Sequence, residues 1–447
     1  MTYQETLEYL YASQPAFHLV GAAAYKPGLD NTLRLMEHLG NPHRRFRSVH
    51  IAGTNGKGST SHLIAASLQA AGLRVGLYTS PHLADFRERI RLNGQMISED
   101  YIVRFVEDNK AFLEQICPSF FETTMALAFA YFADMQVDVA VVGVGVGGKL
   151  DSTNIITPML SVITNIGFDH TEFLGDTLPK IAAEKAGIIK PDVPCVIGET
   201  DPQTAPVFLQ KAQACGILGD GLETTGCRLW FADQCGYLRR CRLRDIPECQ
   251  LHGIYQDKNQ QTAYVALRVL QNYSPIGTHI TTAAIRKGFA EVCSLTGLRG
   301  RWEKLADKPL TICDTGHNSH GLRYVAQQLS DLQTHHKGTL FVVFGMVSDK
   351  DVDVVMRLLP ATRIANGTTQ NVRYCFVQPD THRAIPAEEM LERWQQVHPE
   401  DTTAEAIPDI AKALQYVQSA TMPNDIIFIG GSNYVVGTAL KLYPNTH

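Results

Sequence analysis

A glycine-rich segment constrains the fold of this chain more than any other part of its sequence. It reads His50-Ile-Ala-Gly-Thr-Asn-Gly-Lys-Gly-Ser-Thr60. A predicted strand, Ser48–Ala52, precedes the loop, and a predicted amphipathic helix from about Ser59 to Ala71 follows it. The glycines let the backbone turn its N–H groups toward phosphate oxygens, and the helix points its positive end at the same place. The segment therefore predicts a nucleotide site.

Three side chains of this loop carry charge or hydroxyl groups that suit a nucleotide. Lys57 supplies a positive charge for the outer phosphates, and the hydroxyls of Ser59 and Thr60 stand where a Mg²⁺ ligand belongs. Gly58 interrupts the usual Gly-Lys-Ser/Thr order, so the loop is a modified P-loop. The alternative is an ordinary glycine-rich turn, against which the flanking strand and helix argue.

The rest of the chain alternates short apolar runs with helical patterns. Val137–Val142 and Ser161–Ile166 are nearly continuous apolar runs, as expected of strands buried on both faces of a parallel sheet. A second strand series runs from Leu310 to Ile429. This alternation predicts an α/β fold, with a P-loop-type doubly wound sheet domain and a smaller Rossmann-like C-terminal domain. We place the domains at residues 1–296 and 297–447.

Composition excludes several classes of protein. The chain has 447 residues, a formal net charge of −5 and ten cysteines. The charge provides no basic field for nucleic acid or an anionic membrane, and no apolar run approaches the roughly 18 residues of a membrane helix. The N-terminus lacks a signal-peptide pattern. The absence of a Cys-x-x-Cys pair favours reduced thiols and a cytoplasmic protein.

The nucleotide loop and eight further segments, in order along the chain, resemble the motifs of one family. After the loop at Gly53–Ser59, the segments are Thr79–Leu83, Arg87–Ile90, Phe120–Thr124, Gly147–Asn154, Asp169-His170, Glu184–Gly187, Asp314–Asn318 and Gly345–Asp351. This series resembles the folylpolyglutamate synthase/dihydrofolate synthase family of the Mur ligase superfamily. The resemblance implies a monomeric enzyme that activates the carboxylate of dihydropteroate or a folate with ATP and joins it to the amine of L-glutamate.

The resemblance also implies roles for individual residues. ATP would be held by Asn55, Gly56, Lys57, Gly58, Ser59, Thr60, Asn259, Arg301 and Asp314. Ser80, His170 and Lys185 would serve a Mg²⁺ ion, and Lys57, His170 and Lys185 would be catalytic. In this family the lysine that matches Lys185 is carbamylated, and a monovalent cation is also implied. From the residues alone, a surface lysine is the favoured interpretation of Lys185, and a capping or core histidine is the favoured interpretation of His170; only the family resemblance reverses this preference.

The resemblance places the pteroate or folate near a further group of residues. They are Pro27, Phe120, Phe121, Glu122, Leu150, Asp151 and Ser152, with His317 as a candidate at the glutamate end. An aromatic ring could pack against a flat pterin, and Asp151 could accept hydrogen bonds from its polar edge. For the two phenylalanines, plain core packing is nearly as good an interpretation.

One position departs from the family pattern. Gly143 stands where the family usually has a glutamate that helps to hold Mg²⁺, and we therefore expect a weakened metal site. This change leaves open a nucleotide- and folate-binding homologue with impaired catalysis. Another Mur-type amino-acid ligase is a further alternative.

Two other patterns suggest different proteins. Gly143–Gly148 satisfies the Gly-x-Gly-x-x-Gly pattern of dinucleotide sites, but no helix is predicted after it. A cluster of spaced cysteines with one histidine invites a zinc interpretation, although its spacing is unlike that of zinc modules. Its members are Cys227, Cys235, Cys241, Cys249 and His252.

Overall fold

The computed structural model describes residues 1–14, 28–216, 229–237, 245–336, 338–348, 352–365 and 368–443. The chain divides into two compact units. The first comprises Met1–Ser80, Arg87–Gln250 and Gln256–Leu298, and the second Pro81–Phe86, Leu251–Tyr255 and Arg299–His447. Each unit has its own sheet.

The described residues of the first unit form eight strands, with helices between most of them. In chain order they are α1 (Tyr3–Ser13), α2 (Asp30–His38), β1 (Arg47–Ala52), α3 (Lys57–Ala70), β2 (Val75–Tyr78), β3 (Ile90–Leu92), β4 (Gln95–Met96), α4 (Glu99–Ile116), α5 (Phe120–Asp134), β5 (Val139–Gly143), β6 (Leu160–Ile163), α6 (Thr171–Leu174), α7 (Leu178–Lys185), β7 (Cys195–Ile197), α8 (Ala205–Ala214), β8 (Leu229–Phe231), α9 (Gln256–Tyr273), α10 (Thr282–Ala290) and α11 (Val292–Thr296). Short 3₁₀ helices span Pro42–Arg44, Phe86–Arg89, Ser152–Ile155, Ala186–Ile188, Ala232–Tyr237 and Gly277–His279.

The strands of the first unit form a single sheet in the order β4-β3-β2-β5-β1-β6-β7-β8. The six strands from β2 to β8 in this order are parallel, and β3 and β4 continue the sheet antiparallel. Every residue of β2, β5, β6 and β7 is buried, which matches their continuous apolar sequences. Because parallel strands end at the same edge, the segments after β1, β5 and β6 lie together there.

The second unit carries a smaller, mostly parallel sheet. Its elements are β9 (Glu303–Asp307), β10 (Leu310–Asp314), α12 (Ser319–His335), β11 (Leu340–Phe344), α13 (Val352–Leu358), β12 (Arg363–Ala365), β13 (Thr368–Gln370), β14 (Val372–Phe376), α14 (Ala387–Val397), β15 (Glu405–Ala406), α15 (Ile410–Ala420), β16 (Ile426–Gly430) and α16 (Asn433–Leu442). The main sheet has the order β15-β14-β11-β16-β10-β9, in which only β9 is antiparallel to its neighbour. β12 and β13 form a separate antiparallel pair.

Alternate residues along the strands of this second sheet pack into two separate hydrophobic cores, one on each face. Val342 and Phe428 pack in the core that contains Trp394, whereas Val343 and Ile429 pack in the core against α15 and α16. Successive side chains of a strand point to opposite faces, so a continuous apolar run fills both layers. The two-sheet architecture confirms the predicted α/β fold class.

One sequence feature of the first unit has a definite structural outcome. The glycine pattern at Gly143–Gly148 is followed by the 3₁₀ helix Ser152–Ile155 and then by β6, so it lacks the helix that a dinucleotide site requires. Farther along the unit, β8 is followed directly by the 3₁₀ helix Ala232–Tyr237. Within the described residues, no helix is both long and apolar enough to cross a membrane.

Candidate active site

The nucleotide loop lies between β1 and α3, as its sequence predicts. Gly56 caps the helix with a positive φ of 80°, and α3 begins at Lys57. The Lys57 ammonium group folds back onto the loop, where Nζ donates to the carbonyl oxygens of Gly53 at 2.8 Å and Thr54 at 3.2 Å. The loop is therefore closed around its own lysine, and the helix N-terminus faces the same space.

The segment that follows β6 holds the loop in this conformation. The side-chain oxygen of Asn165 accepts from the N–H of Asn55 at 2.9 Å, and its backbone oxygen accepts from the N–H of Thr54 at 3.0 Å. The Thr164 hydroxyl donates to the carbonyl of Asn55 at 2.5 Å. Neither residue belongs to the motifs noted above. Their signal in the sequence is a Thr-Asn pair directly after a buried parallel strand.

Lys185 is a buried amine of the first unit with a strongly lowered pKa. It ends α7, and its side chain is buried. Burial, together with the nearby Lys57 charge, lowers its pKa from 10.5 to about 7, although the carboxylates of Asp169, Asp151 and Glu184 oppose the shift. Near neutral pH, a substantial fraction of this amine is uncharged. The interpretation as an ordinary surface lysine is wrong, because the side chain is buried.

The Asp151 carboxylate is fully hydrogen-bonded within the protein. Its Oδ2 accepts from the N–H groups of Gly145 at 3.0 Å and Val146 at 3.1 Å. Its Oδ1 accepts from the N–H of Thr153 at 3.0 Å and from its hydroxyl at 2.5 Å. Burial raises the pKa of Asp151, and these hydrogen bonds oppose that rise. The carboxylate thereby ties the glycine segment after β5 to the 3₁₀ helix that follows.

The predicted metal-binding side chains follow two strands of the same sheet. Ser80 lies just after β2 and His170 after β6, and both are half-buried. His170 has a positive φ of 51°, and its backbone N–H donates to Asp169 Oδ1 at 3.0 Å. Thr60 Oγ1 is buried and has no hydrogen-bond partner among the described residues. A hydroxyl without a partner near the start of α3 could ligate a hard cation or donate a hydrogen bond to a phosphate.

Gly143 is the last residue of β5, beside the end of β2. A Cβ added there would lie 3.3 Å from the carbonyl oxygen of Tyr78 and 4.0 Å from Ser61 Oγ, so a side chain would fit with a small shift. Ser61 Oγ is itself buried without a hydrogen-bond partner in the described part of the chain. No group of three or more His, Cys, Asp or Glu side chains that could hold a metal occurs among the described residues.

The predicted pteroate residues fall into two groups. Phe121 contacts the glycine segment, since a Cβ on Gly145 would lie 2.6 Å from its ring. Leu150 is exposed, and Ser152 is buried at the start of the 3₁₀ helix. Phe120 is buried and stacks on Tyr11 with ring centroids 5.1 Å apart.

Glu122 belongs with Phe120 in the second group, and Pro27 lies outside the described residues. The buried Glu122 side chain forms a capping box with Ser119 at the start of α5 and accepts a hydrogen bond from the Thr32 hydroxyl at 3.2 Å. Phe120 and Glu122 therefore have structural partners, and their contact with a substrate stays a prediction.

The second unit places Arg301, Asp314 and His317 around the end of β10. Asp314 is buried, and its carboxylate accepts from the N–H groups of Trp302 and Gly316, each at 2.7 Å, and from the Tyr255 hydroxyl. Burial raises the pKa of Asp314, whereas the Tyr255 hydrogen bond and the Arg301 charge oppose the rise. Nδ1 of His317 lies 2.9 Å from the carbonyl oxygen of Thr315. Because a carbonyl only accepts, Nδ1 carries the proton.

The structure describes only some of the cysteines that were considered as a possible zinc site. The side chains of Cys227, Cys235 and Cys241 lie outside the described residues, as do Lys350 and Asp351 of the second-unit motif. The seven cysteines that are described are free thiols.

Two family models match the chain. The Mur ligase middle domain matches residues 51–223, and the Mur ligase glutamate ligase domain matches residues 300–433. The folylpolyglutamate synthase of Lacticaseibacillus casei is 35% identical over 404 residues, which cover 86% of this chain and 88% of the relative. The dihydrofolate synthase/folylpolyglutamate synthase of Bacillus subtilis is 32% identical over 434 residues, covering 93% and 95%.

A solved structure shows the same architecture. The bifunctional folylpolyglutamate synthase/dihydrofolate synthase of Yersinia pestis, complexed with AMPPNP and Mn ion, superimposes with a TM-score of 0.77 at 27% sequence identity. The match covers 99% of this chain and 98% of that chain. The likeness thus extends over both units, each of which corresponds to one of the matched domains.

Proposed function

Because the chain belongs to the folylpolyglutamate synthase/dihydrofolate synthase family, we propose that it is an ATP-dependent ligase. It forms an amide between the carboxylate of dihydropteroate or a folate and the amino group of L-glutamate. One observation carries the proposal on structural grounds. The buried Lys185 lies within electrostatic reach of Lys57 in the nucleotide loop and of two buried or nearly buried carboxylates, Asp151 and Asp169.

The proposed reaction has two steps. The substrate carboxylate attacks the γ-phosphorus of ATP, an acyl phosphate forms and ADP leaves. The glutamate amine then attacks the acyl carbon, the C–N bond forms, and inorganic phosphate and a proton leave. The protein supplies little covalent chemistry in such a reaction, because alignment of the reactants and neutralisation of charge lower most of the barrier.

The loop residues have distinct proposed roles in binding ATP. The backbone N–H groups of Gly56 and Gly58 donate to phosphate oxygens, and Ser59 adds a hydroxyl donor. Lys57 Nζ now donates to two loop carbonyls. We propose that it turns toward the outer phosphates when ATP binds. Asn55, Thr60 and Asn259 complete the nucleotide site in the first unit, and Arg301 and Asp314 are the proposed nucleotide contacts of the second unit. His317 is the proposed contact for glutamate.

A divalent cation fits the donors of the first unit. Ser80 and His170 are half-buried, and Thr60 Oγ1 is a buried oxygen without a partner in the described part of the chain. Mg²⁺ commonly keeps several water ligands and binds phosphate oxygens, so a site with few carboxylates is chemically reasonable. When bound, the ion would neutralise charge on the phosphoryl group during transfer. The relative from Yersinia pestis binds Mn together with an ATP analogue.

Lys185 is the proposed site of a carbamate. A neutral amine attacks CO₂, the N–C bond forms and the nitrogen loses a proton, so the cation becomes an anion. Deep burial keeps a fraction of this amine neutral at physiological pH, with its pKa at about 7. The resulting carboxylate-like group would offset the Lys57 charge or bind the metal. A monovalent cation beside the phosphates is part of the same proposal, and exchange of K⁺ for Na⁺ in the assay tests it.

The pteroate or folate is proposed to lie against the glycine segment after β5. Phe121 and Leu150 provide apolar surface and Ser152 provides a polar group. Asp151, whose two oxygens accept four hydrogen bonds within the protein, holds the segment against which the ligand would lie. We also propose that the protein acts in the cytoplasm as a monomer. Its seven described cysteines are free, which suits a reducing compartment. Native mass spectrometry and cell fractionation test these two statements.

The deciding experiment is a phosphate-release assay. ATP is supplied with dihydropteroate or tetrahydrofolate as acceptor, each with and without L-glutamate. We expect release that requires both the acceptor and glutamate, and the two acceptors show whether one or both ligase activities are present. Equal release without any acceptor would contradict the ligase. The similarity to the two synthases named above does not favour the alternatives, which are an impaired homologue and another Mur-type ligase.

A further inference from the structure

Gln256 is a buried polar residue at the start of α9 for which the mechanism above gives no role. Its side chain is fully buried. Its Nε2 donates to the hydroxyl oxygen of Ser59 at 3.1 Å, and its Oε1 accepts from Nδ2 of Asn259 at 2.8 Å. The carboxamide therefore connects an asparagine on its own helix to a serine of the nucleotide loop, 197 residues away in sequence.

The direction of these hydrogen bonds determines what the Ser59 hydroxyl can do. An amide nitrogen only donates, and a hydroxyl has one proton and two acceptor sites. Because Gln256 occupies an acceptor site of Ser59 Oγ, it leaves the serine proton available for another acceptor. Ser59 is buried, so bulk water does not compete for that proton. The expected acceptor is a phosphate oxygen, because Ser59 lies in the first turn of the helix that faces the nucleotide site.

Asn259, at the other end of this chain of hydrogen bonds, also lies beside the loop. Nδ2 of Asn259 donates to Gln256, and its Oδ1 faces Gly56, where an added Cβ would lie only 2.1 Å away. Any rotation of the Asn259 carboxamide would break its hydrogen bond to Gln256. The three side chains therefore behave as one hydrogen-bonded unit at the nucleotide loop.

We propose that Gln256 is a positioning residue that holds the Ser59 hydroxyl ready to donate to an ATP phosphate, and that Asn259 acts on the same hydroxyl through Gln256. This inference rests on the proposed function, since it takes ATP as the ligand of the loop. Because the Ser59 hydroxyl is already oriented before ATP binds, less conformational entropy is lost on binding. The effect on ATP affinity is limited to that of one hydrogen bond, about 5- to 10-fold.

A double-mutant cycle tests the proposal. ATP dissociation constants are measured for the wild type, Gln256→Leu, Ser59→Ala and the double variant, together with KM for ATP and for L-glutamate. We expect Gln256→Leu to weaken ATP binding by about 5- to 10-fold, the loss of one hydrogen bond. The double variant should bind ATP no more weakly than Ser59→Ala alone, because the glutamine acts only through the serine. KM for L-glutamate should not change.

Gln256→Glu is the second variant and carries the test if Gln256→Leu does not fold. A glutamate oxygen facing Ser59 would accept the hydroxyl proton and turn it away from the phosphate, so ATP affinity should fall at least as far as in Gln256→Leu. Gln261→Leu is the matched control. Gln261 is on the same helix but donates to the carbonyl of Ala232 at 2.7 Å, so its variant should keep wild-type ATP affinity.

Three results would overturn the role of Gln256 while the wild type binds ATP. They are additive losses in the double variant, wild-type affinity in Gln256→Glu, and an equal loss in the Gln261→Leu control. A wild-type chain that bound no ATP would instead overturn the proposed function, and the role of Gln256 with it.

Discussion

Replacement of Thr153 by valine should destabilise the first unit and loosen the segment that contains Asp151. The Thr153 hydroxyl donates to Asp151 Oδ1 at 2.5 Å and lies 2.8 Å from Nε2 of His50. Because its only proton goes to the carboxylate, the hydroxyl must accept from His50, whose Nε2 therefore carries a hydrogen. Burial lowers the pKa of His50 to about 3, so the ring is neutral in this hydrogen bond.

The magnitude follows from the two partners that valine would leave behind. Valine has nearly the shape of threonine, so no cavity forms. Asp151 loses one of four hydrogen bonds, and the buried Nε2–H of His50 loses its acceptor. Loss of a bond to a charged group together with an unsatisfied buried donor gives about 2–4 kcal/mol of lost unfolding free energy. Thr153→Ser keeps the hydroxyl and loses one methyl group, for which we expect about 1 kcal/mol.

The assay combines urea unfolding with hydrogen exchange read by mass spectrometry. Exchange should accelerate in peptides covering residues 145–153 of Thr153→Val, because the Gly145 and Val146 N–H groups depend on the position of Asp151. Thr153→Ser should keep the wild-type exchange pattern there. Equal stability and equal exchange in the valine and serine variants would refute the hydrogen-bond chain from His50 to Asp151.

Three further predictions follow from single residues. Burial lowers the pKa of Lys185 to about 7, so the unfolded chain binds more protons than the folded chain between this pH and 10.5, and stability should rise with pH across that window. In CO₂-free urea titrations, Lys185→Met should flatten this slope, and an unchanged slope would contradict the assignment. Gly56→Ala should abolish ATP binding in equilibrium dialysis, because its φ is 80° and its Cβ would overlap Asn259 Oδ1. Gly143→Glu should lower the Mg²⁺ concentration needed for phosphate release, and an unchanged requirement and rate would argue against a metal-site role for this position.

The sheet strands and the nucleotide loop could be predicted from sequence because their signals are local. β1 and α3 flank the loop within a few residues of the predicted positions. The apolar runs at β5 and β6 are buried throughout, as their composition requires. The spurious dinucleotide pattern at Gly143–Gly148 was also recognisable, since no helix pattern follows it. In each case the prediction depends only on residues that are close together in the sequence.

The polar connections within the site could not be predicted in the same way. His50 and Thr153 are 103 residues apart, and Gln256 and Ser59 are 197 apart. A histidine in a buried strand or a glutamine at a helix start has many possible partners, and only the packing of the strands and helices selects one. The short-range Asp151–Thr153 turn is different, because a side chain that caps a turn two residues ahead is a local pattern.

The motif around Phe120–Thr124 shows why a family resemblance alone does not separate folding from chemistry. Both oxygens of Glu122 already have partners, since Oε2 accepts from Ser119 and Oε1 from Thr32. A substrate contact through this carboxylate would have to break the capping box that starts α5. Phe121 has no such conflict, because its ring faces the glycine segment that Asp151 organises. Within one short motif, therefore, Glu122 is explained by the start of a helix, and Phe121 is the residue for which a ligand contact stays a prediction.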